Sequence, residues 1–528
     1  MHEVRALASI RCLPTPAVWL LAAAFGAGCS GQASPQSSNT LPTLAPRRPN
    51  GELVPPGPVV PEKRVTIAWT GEVRGELDVC GCPTVPYGGF ERRERYLQRL
   101  RAEGDPVIVL DAGDMLTKGA RGAKVADQEL RAKTMLSLGV EVGLDVWCPS
   151  PTDLALRPAD GKGWERAVGT NVDELPHATV IERGGVRLGV VGVSGAMPGH
   201  SVDAGVVDVV KRAMAAVSPS PDAWVALSNA DTATNTRIAE GVPGLALVLA
   251  TRGGDLDPPR VTSGAPVIET PDRGRFVSVV RLAIGTTPGP AELLTGPEGA
   301  KWEAWDEAME RLPRQEGNAK PAEAQRVVDA WAAVAPDAAG RNLALVRDRP
   351  LGSDLEAPDD AAAKAVKAFD DSLVGTANAR SKVNAPLRYV AAGGCTGCHD
   401  DYLAAWAETP HAKAWLALIP RGGNKNPECV ACHSTGWGEP GGNASTDDVN
   451  MQTWKAVQCE DCHGPMSAHI ADPHNQKGQP VTEATCLTCH DPANSPQFDY
   501  ATYHRRVSCV NQMAGQGVHV VTPPSGKQ

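Results

Sequence analysis

Four copies of one pentapeptide, Cys-X-X-Cys-His, lie in the last quarter of this 528-residue chain. Their members are Cys395, Cys398 and His399 in the first motif, Cys429, Cys432 and His433 in the second, Cys459, Cys462 and His463 in the third, and Cys486, Cys489 and His490 in the fourth. Two thiols at this spacing can each form a thioether with one haem, and the adjacent His can then bind the iron from one side. The spacing therefore predicts four haem c groups, each with a proximal His ligand.

Two other interpretations of the Cys pairs explain less. Zinc does not require a His after every second Cys, and disulfides leave the His unexplained. The sequence around the motifs has little periodic apolar pattern, so four buried macrocycles would have to supply the apolar surface of this region. We expect a mainly α-helical and irregular domain, with short helices and long loops packed on haem.

The C-terminal sequence resembles the cytochrome c-554 family of tetrahaem cytochromes over residues 391–509. The resemblance lies in the segments GGCTGCHDDYLAAWAETPHAKAW, CVACHSTGW, VQCEDCHGPMSAH and CLTCHDPANSPQFDYATY. In that family three haems have two His ligands and the second haem has an open or weakly filled position. The resemblance implies that His411 is the distal ligand of the third haem and that His469 is the distal ligand of the first. It leaves the second haem five-coordinate.

The fourth haem is where this sequence departs from the family pattern, because Cys509 stands where the family has a His. Three distal ligands are open. They are His504 just upstream, which we favour, His519 in the tail, or a Cys509 thiolate, which would lower the haem potential. His474 is interpreted as a solvated loop residue.

From residue 65 onward, apolar runs alternate with amphipathic stretches, which predicts an α/β layered domain. The predicted strands cover residues 65–69, 107–110, 187–193, 224–227 and 245–250, and the predicted helices cover residues 91–102 and 126–138. The sequence ATVIERGGVRLGVVGV favours a hairpin with a Gly-Gly turn.

Residues 64–285 resemble the metallophosphoesterase fold of the 5′-nucleotidase type, on the motifs TIAWTGEVRGEL, VIVLDAGDML and GGVRLGVVGVSG. That chemistry needs two divalent metals, which the family binds with His, Asp and Asn. Here Glu72 and Arg74 stand at the usual Asp and His positions of the first motif, and Asn229 stands where a later His is usual. His177 and His200 are the only His residues of the domain, and neither falls on a metal motif.

Without imidazole ligands we do not expect a tight dinuclear metal site, and the domain is predicted to be catalytically silent. The alternative is an unconventional, carboxylate-rich metal site that uses Glu72, Asp111 and Asp114.

Three further thiols belong to this domain, namely Cys80, Cys82 and Cys148. In an exported protein we expect them to be oxidised, and Cys148 could reach one of the other two. A small metal or redox site is the alternative, because disulfide connectivity is not readable from sequence.

The N-terminus has the features of an export signal. Arg5 and Arg11 precede an apolar run over residues 17–28 that is too short for a permanent membrane span. The sequence AAAFGAGCS resembles a lipobox, which implies lipidation of Cys29 and, because Ser30 follows, sorting to the outer membrane. An ordinary signal peptide cleaved near Cys29 is the alternative, and both send the chain to the periplasm or cell surface.

These features divide the chain into six segments. We expect a signal peptide over residues 1–29, a Pro/Ser-rich tether over 30–62, the α/β domain over 63–290, a helical connector over 291–388, the tetrahaem domain over 389–512 and a tail over 513–528. The connector has helix-like patches at residues 301–312, 322–334 and 359–373. The net charge is -10 and the 51 basic residues are spread along the chain, which argues against nucleic acid as a partner.

Three functions are compatible with the sequence, and whether the protein is an enzyme stays open. We favour an exported electron-transfer cytochrome that is anchored to a membrane by lipid and serves redox partner proteins. The second is a haem enzyme that acts on a small nitrogen or oxygen species at the second haem. The third is an active metallophosphoesterase fused to a cytochrome.

Overall fold

The structure is a computed structural model, and the part of the chain that it describes runs from residue 63 to residue 511 with short gaps. The gaps are residues 80–85, 118–124, 158–161, 197–201, 203–204, 252–257, 272, 316–318, 339, 357–359, 447–448, 450, 491–494 and 496. Cys29, Cys80, Cys82, His200 and His519 lie outside the described residues, as do the predicted signal peptide and tail. None of the described helices combines the length and apolar character needed to cross a membrane.

The apolar runs of the N-terminal part form two β-sheets. The strands are β1 (Lys63–Thr70), β2 (Val107–Asp111), β3 (Val146–Trp147), β4 (Thr179–Arg183), β5 (Val186–Val193), β6 (Ala223–Ser228), β7 (Leu245–Thr251), β8 (Val267–Thr270), β9 (Phe276–Ile284), β10 (Glu292–Leu293) and β11 (Leu343–Pro350). One sheet has the order β10-β11-β9-β1-β2-β3 and the other has the order β4-β5-β6-β7-β8. Every residue of β2 and β7 is buried, as expected for parallel strands covered on both faces.

Helices cover the outer faces of the two sheets. They are α1 (Phe90–Ala102), α2 (Val125–Glu141), α3 (Pro151–Leu154), α4 (Val206–Ala215), α5 (Thr232–Gly241), α6 (Gly296–Arg311), α7 (Ala319–Ala338) and α8 (Ala361–Ser381). Ile67, Leu188 and Val280 belong to a buried cluster that joins the two sheets. Separate clusters join α1, α2 and α8 to the first sheet and join α4 and α5 to the second. The predicted α/β layered domain is therefore confirmed.

Apolar patterning finds the central strands but not all of the first sheet. The predicted hairpin is present, since β4 pairs antiparallel with β5 across Gly184 and Gly185. β11 was not predicted, yet it pairs with β9 along its whole length inside the region expected to be a helical connector. β11 has a polar second half and β9 contains the charged Arg281, so neither strand is a continuous apolar run in the sequence. Arg281 is buried because it is ion-paired with Asp306, at 2.6 Å, and with Glu103.

The C-terminal part consists of short helices and loops, as predicted. The α-helices are α9 (Asp400–Ala407), α10 (Pro427–His433), α11 (Cys459–His463), α12 (Ser467–Ala471), α13 (Glu483–Cys486) and α14 (Tyr500–Val507). The 3₁₀ turns of the chain are Trp164–Arg166, Leu312–Arg314, Ser353–Leu355, Ala392–Cys395, His411–Lys413, Trp415–Ala417, Ile419–Arg421 and Gly423–Lys425. One small buried cluster contains Trp415, Leu418, Val430 and Met451.

The second motif lies where the α/β part meets the C-terminal part. α8 packs on α1 and α2 and also contacts α10. Polar contacts across this boundary include an ion pair of Arg131 with Glu428, a hydrogen bond from Arg380 Nε to Gly438 O at 3.2 Å, and a hydrogen bond from Asn426 Nδ2 to Asp78 at 3.1 Å. The α/β part therefore holds α10, which carries the second motif, in a fixed place.

Candidate haem sites

Short helices present the attachment residues of the motifs. The second motif occupies the end of α10, and the third occupies all of α11. Residues three and four positions apart share one face of a helix. In both helices the two thiols and the following imidazole therefore point to the same side, as attachment and ligation of one haem require. The first motif leads into α9, with His399 at its N-cap, and the fourth begins at the last residue of α13.

Four of the candidate iron ligands place their Nδ1 atom next to a hydrogen-bond acceptor. The pairs are His433 with Ala414 O at 2.7 Å, His463 with Gln479 O at 3.3 Å, His469 with Gln476 O at 2.7 Å, and His490 with Ser495 Oγ at 3.1 Å. A carbonyl only accepts, so Nδ1 carries the hydrogen in the first three pairs. Nε2 is then the lone-pair nitrogen, which is the tautomer that an iron ligand needs.

His469 lies opposite His399 of the first motif. Their ring centroids are 5.9 Å apart and the ring planes differ by 31°. Two imidazoles that share one metal ion at about 2 Å from each nitrogen are separated by a similar distance. The structure thus brings together the two residues that the family resemblance assigns to the first haem.

His411 lies opposite His490 of the fourth motif, with 6.1 Å between ring centroids and 37° between ring planes. The resemblance assigned His411 to the third haem, so the structure pairs it with a different motif. The Val457 N–H donates to His411 O at 3.2 Å, which holds the backbone beside the third motif while the ring extends toward the fourth. Burial, together with His490 and His433, lowers the pKa of His411 to about 4, so the imidazole is neutral and able to bind metal.

The second and third motifs have no comparable histidine pair. Within the described ranges, neither His433 nor His463 makes a ring contact with a second histidine. For His433 this agrees with the open position that the resemblance implies for the second haem. For His463, no described histidine ring lies at the distance seen for the pairs of the first and fourth motifs.

The two remaining candidates for the fourth haem lie on or after α14. The ring of His504, the favoured ligand, stacks on Tyr500 with 5.2 Å between centroids, whereas Tyr503 of the same helix packs edge-on against His490. Cys509 acts electrostatically on the thiols of Cys459 and Cys462, which places it beside the third motif. Neither candidate is placed opposite His490, where His411 lies.

Glu460 and Asp461, inside the third motif, form a frame that was not predicted from the sequence. Glu460 is buried and accepts backbone hydrogen bonds from Val390, Ala391 and Met466 at 2.7 to 3.0 Å. Asp461 accepts from Thr435 Oγ1 at 2.7 Å. The third motif is therefore bonded to the segment before the first motif and to the segment after the second.

One feature of the sequence could have predicted these hydrogen bonds around the third motif. Gln458 precedes the motif and makes a capping box with Asp461, a pattern of helix starts. The other three motifs carry no acid between their Cys residues.

In the α/β part, the residues at the positions of the metal motifs form a closed ion-pair group. Arg74 lies 2.9 Å from Glu72 and 3.6 Å from Asp114. All three have a left-handed backbone, with φ of 47° at Glu72, 51° at Arg74 and 55° at Asp114, which is uncommon for residues other than Gly. The guanidinium supplies the positive charge between these carboxylates.

The neighbouring polar groups are used in hydrogen bonds. Asp111 accepts from Thr70 Oγ1 at 2.6 Å and from the Gly113 N–H at 2.8 Å, and burial raises its pKa to about 7. Asn229 Nδ2 donates to Cys148 O at 3.0 Å. In the part of the chain that the structure describes, no group of three or more His, Cys, Asp or Glu side chains is arranged to hold a metal ion. In the alternative, carboxylate-rich metal site, an arginine thus lies between the carboxylates.

The structure also describes two further candidate residues of this part. Cys148 is a buried thiol, and its expected disulfide partners lie outside the described residues. His177 is exposed and lies away from the motif residues in sequence.

Comparison with known proteins supports the predicted resemblance of the C-terminal part. The family described as Cytochrome c554 and c-prime matches residues 394–464, which include all of the first, second and third motifs. That match ends one residue after His463. Cytochrome c-554 of Nitrosomonas europaea is 32% identical over 100 residues, which are 16% of this chain and 41% of that protein. The chain thus spans less than half of this curated relative. These similarities support a c-type cytochrome, and with it haem c.

Solved structures similar to the chain are nucleotidases and calcineurin-like phosphoesterases. The 5′-nucleotidase precursor from Thermus thermophilus is 15% identical, with a TM-score of 0.41 and coverage of 60% of each chain. The calcineurin-like phosphoesterase YfkN from Bacillus subtilis is 11% identical, with a TM-score of 0.40, and covers 59% of this chain and 98% of that one. NAD nucleotidase (NadN) from Haemophilus influenzae is 13% identical, with a TM-score of 0.38, and covers 62% and 63%.

Proposed function

We propose that this protein is an exported tetrahaem c-type cytochrome that transfers electrons through covalently bound haem. The observation that carries the proposal is that the four motifs adjoin one another in the fold. Bound haem would supply the iron that changes oxidation state. The chain's own residues attach each haem, ligate its iron and set the distance to the next haem.

The motifs adjoin in the order first, third, fourth, second. Cys395 of the first motif and Cys459 of the third are close enough for their thiols to form a hydrogen bond. Both thiols of the fourth motif lie near enough to Cys462 of the third to raise the pKa of its thiol. His411, which lies opposite the fourth motif's His490, also interacts with His433 of the second. The haems would therefore form one continuous row.

The ligand sets follow from the same geometry. His399 and His469 are assigned to the first haem, and His490 and His411 to the fourth. His433 and His463 are the proximal ligands of the second and third haems. This assignment moves His411 from the third haem to the fourth and removes the need for His504 as a ligand.

The electron-transfer proposal is tested by a spectroelectrochemical titration of the full-length exported protein. We expect four electrons to be taken up reversibly per chain, with the absorption changes of c-type haem. Uptake of fewer than four electrons would contradict the stoichiometry. Metal-dependent release of phosphate from a nucleotide, lost in Asp114→Ala, would instead support the fused phosphoesterase.

A second function is binding of a small nitrogen or oxygen species at the second haem. It is favoured by the absence of a ring contact between His433 and any other histidine of the described residues. We expect one carbon monoxide molecule to bind per four reduced haems. A protein with only low-spin, six-coordinate iron that binds neither carbon monoxide nor nitric oxide would exclude this function.

We also propose that Cys29 is lipidated and anchors the chain to the outer membrane, where it meets redox partner proteins. The support is the sequence of the N-terminal segment. Cell fractionation tests it. Wild-type protein should follow the outer membrane and Cys29→Ala should become soluble, whereas an unchanged distribution would contradict the anchor.

A further inference from the structure

We propose that Cys509 provides a thiolate as the distal ligand of the third haem, opposite His463. This inference rests on the proposed function, because it assumes that a haem is attached to the third motif. It differs from the sequence expectation, in which a Cys509 thiolate was a candidate for the fourth haem.

The first step is the position of Cys509. Cys509 lies near enough to Cys459 and Cys462, the proposed attachment residues of the third motif, to raise the pKa of both thiols. α14 explains how one segment reaches two motifs. Tyr503, within the helix, packs against His490 of the fourth motif with 5.5 Å between centroids, and Cys509 follows the helix by two residues.

The second step concerns which residues remain to bind the iron of the third haem. His411 and His469 are placed opposite the fourth and first motifs, and no second histidine ring contacts His463 in the described part of the chain. His463 itself is oriented for ligation, because its Nδ1 lies 3.3 Å from Gln479 O. Cys509 is thus the remaining strong iron ligand that the structure places beside this motif.

The chemistry requires no oxidant or reductant. With haem attached to the third motif, the Cys509 thiol would lose its proton to solvent and its Sγ would bind the ferric iron together with His463. Burial raises the pKa of the free thiol, so the bond to iron has to provide the stabilisation of the thiolate. A thiolate donates more electron density than imidazole, so the third haem should have a lower potential than the two haems with paired histidines. That haem lies between the first and the fourth, and its potential would control passage along the row.

The test is electron paramagnetic resonance of the fully oxidised, full-length holoprotein, combined with a redox titration. Wild-type protein should show one thiolate-type low-spin ferric species per chain. Cys509→Ala should lose this species and gain one high-spin haem, while Cys509→His should convert it to a bis-imidazole species and raise the potential of one haem. Ser508→Ala, the matched control next in sequence, should leave the spectrum unchanged.

The proposal is overturned if Cys509→Ala and wild-type spectra are identical, or if His504→Ala abolishes the low-spin signal of the third haem instead. Cys509→His retains a ligand, so it remains informative if the Ala variant folds poorly. If either of these results is obtained with a protein that still carries four reversibly reduced haems, only the proposed thiolate ligand is disproved. A protein without four haems would remove the proposed function itself.

Discussion

The α/β part and the C-terminal part differ in what makes their cores. In the α/β part, clusters of buried aliphatic and aromatic side chains fill the space between the layers. Among its described residues, the C-terminal part has one small cluster, and several of its large apolar side chains are exposed. These are Tyr402, Leu416, Ile419, Val449, Ile470 and Val510. A domain of this size with so small a core needs another source of apolar contact, and covalent haem would provide it.

The largest expected effect comes from removing one attachment site. The double variant Cys459→Ala/Cys462→Ala should lose the third haem and, with it, the packing that joins the first and fourth motifs. Limited proteolysis should then digest the C-terminal part while the α/β part stays protected. Cys148→Ala is the control, and equal protection of both parts in the double variant would show that the C-terminal core does not depend on haem.

Loss of the Glu460 carboxylate should be the next largest effect. Glu460→Ala leaves three backbone N–H groups without their acceptor, which should destabilise the C-terminal part by about 3 kcal/mol or more. Thermal unfolding followed at the haem absorption band measures this change. Glu483→Ala, an exposed acid in the first turn of α13, is the control. Equal unfolding temperatures for the two variants would contradict the role of Glu460 in bonding the third motif to the neighbouring segments.

Coupling between the two parts should be smaller. Arg131 is buried and Glu428 is partly buried, so a double-mutant cycle on this ion pair should give a coupling free energy of about 1 kcal/mol. The exposed pair of Lys367 and Asp371 on α8 should give almost none. Denaturant unfolding of the holoprotein measures both cycles, and equal coupling would mean that the second motif is not held by the α/β part.

Divalent metal should have the smallest effect. Because the Arg74 guanidinium already pairs with Glu72 and Asp114, millimolar manganese or zinc should leave the unfolding temperature of the α/β part unchanged. Arg74→Ala removes the guanidinium between the two carboxylates and should gain weak metal affinity, visible by equilibrium dialysis. Metal bound by the wild-type protein but not by Asp114→Ala would contradict a silent domain.

The same contrast explains what could be predicted from the sequence. Buried strands such as β2 and β7 are continuous apolar runs, so their pattern reveals them directly. β9 and β11 are not predicted because charged and polar residues interrupt their apolar pattern. In the fold, Arg281 and the polar residues of β11 are accommodated by ion pairs with distant segments. In the C-terminal part the candidate haem attachment residues are predicted from spacing alone.

The distal ligands could not be assigned from the sequence in this way. A pairing such as His411 with His490 depends on how loops fold back over 79 residues, which is the separation of their numbers. No periodic pattern encodes that geometry. The family resemblance assigned His411 to the third haem, whereas the structure places its ring opposite His490 of the fourth motif.

The most direct test of covalent haem attachment is the intact mass of the purified, exported full-length chain, measured under denaturing conditions. We predict a mass excess of four haem groups over the processed polypeptide, with the haem retained because it is covalently bound. A chain that carries no covalent haem, or that carries zinc released by a chelator in its place, would contradict this prediction.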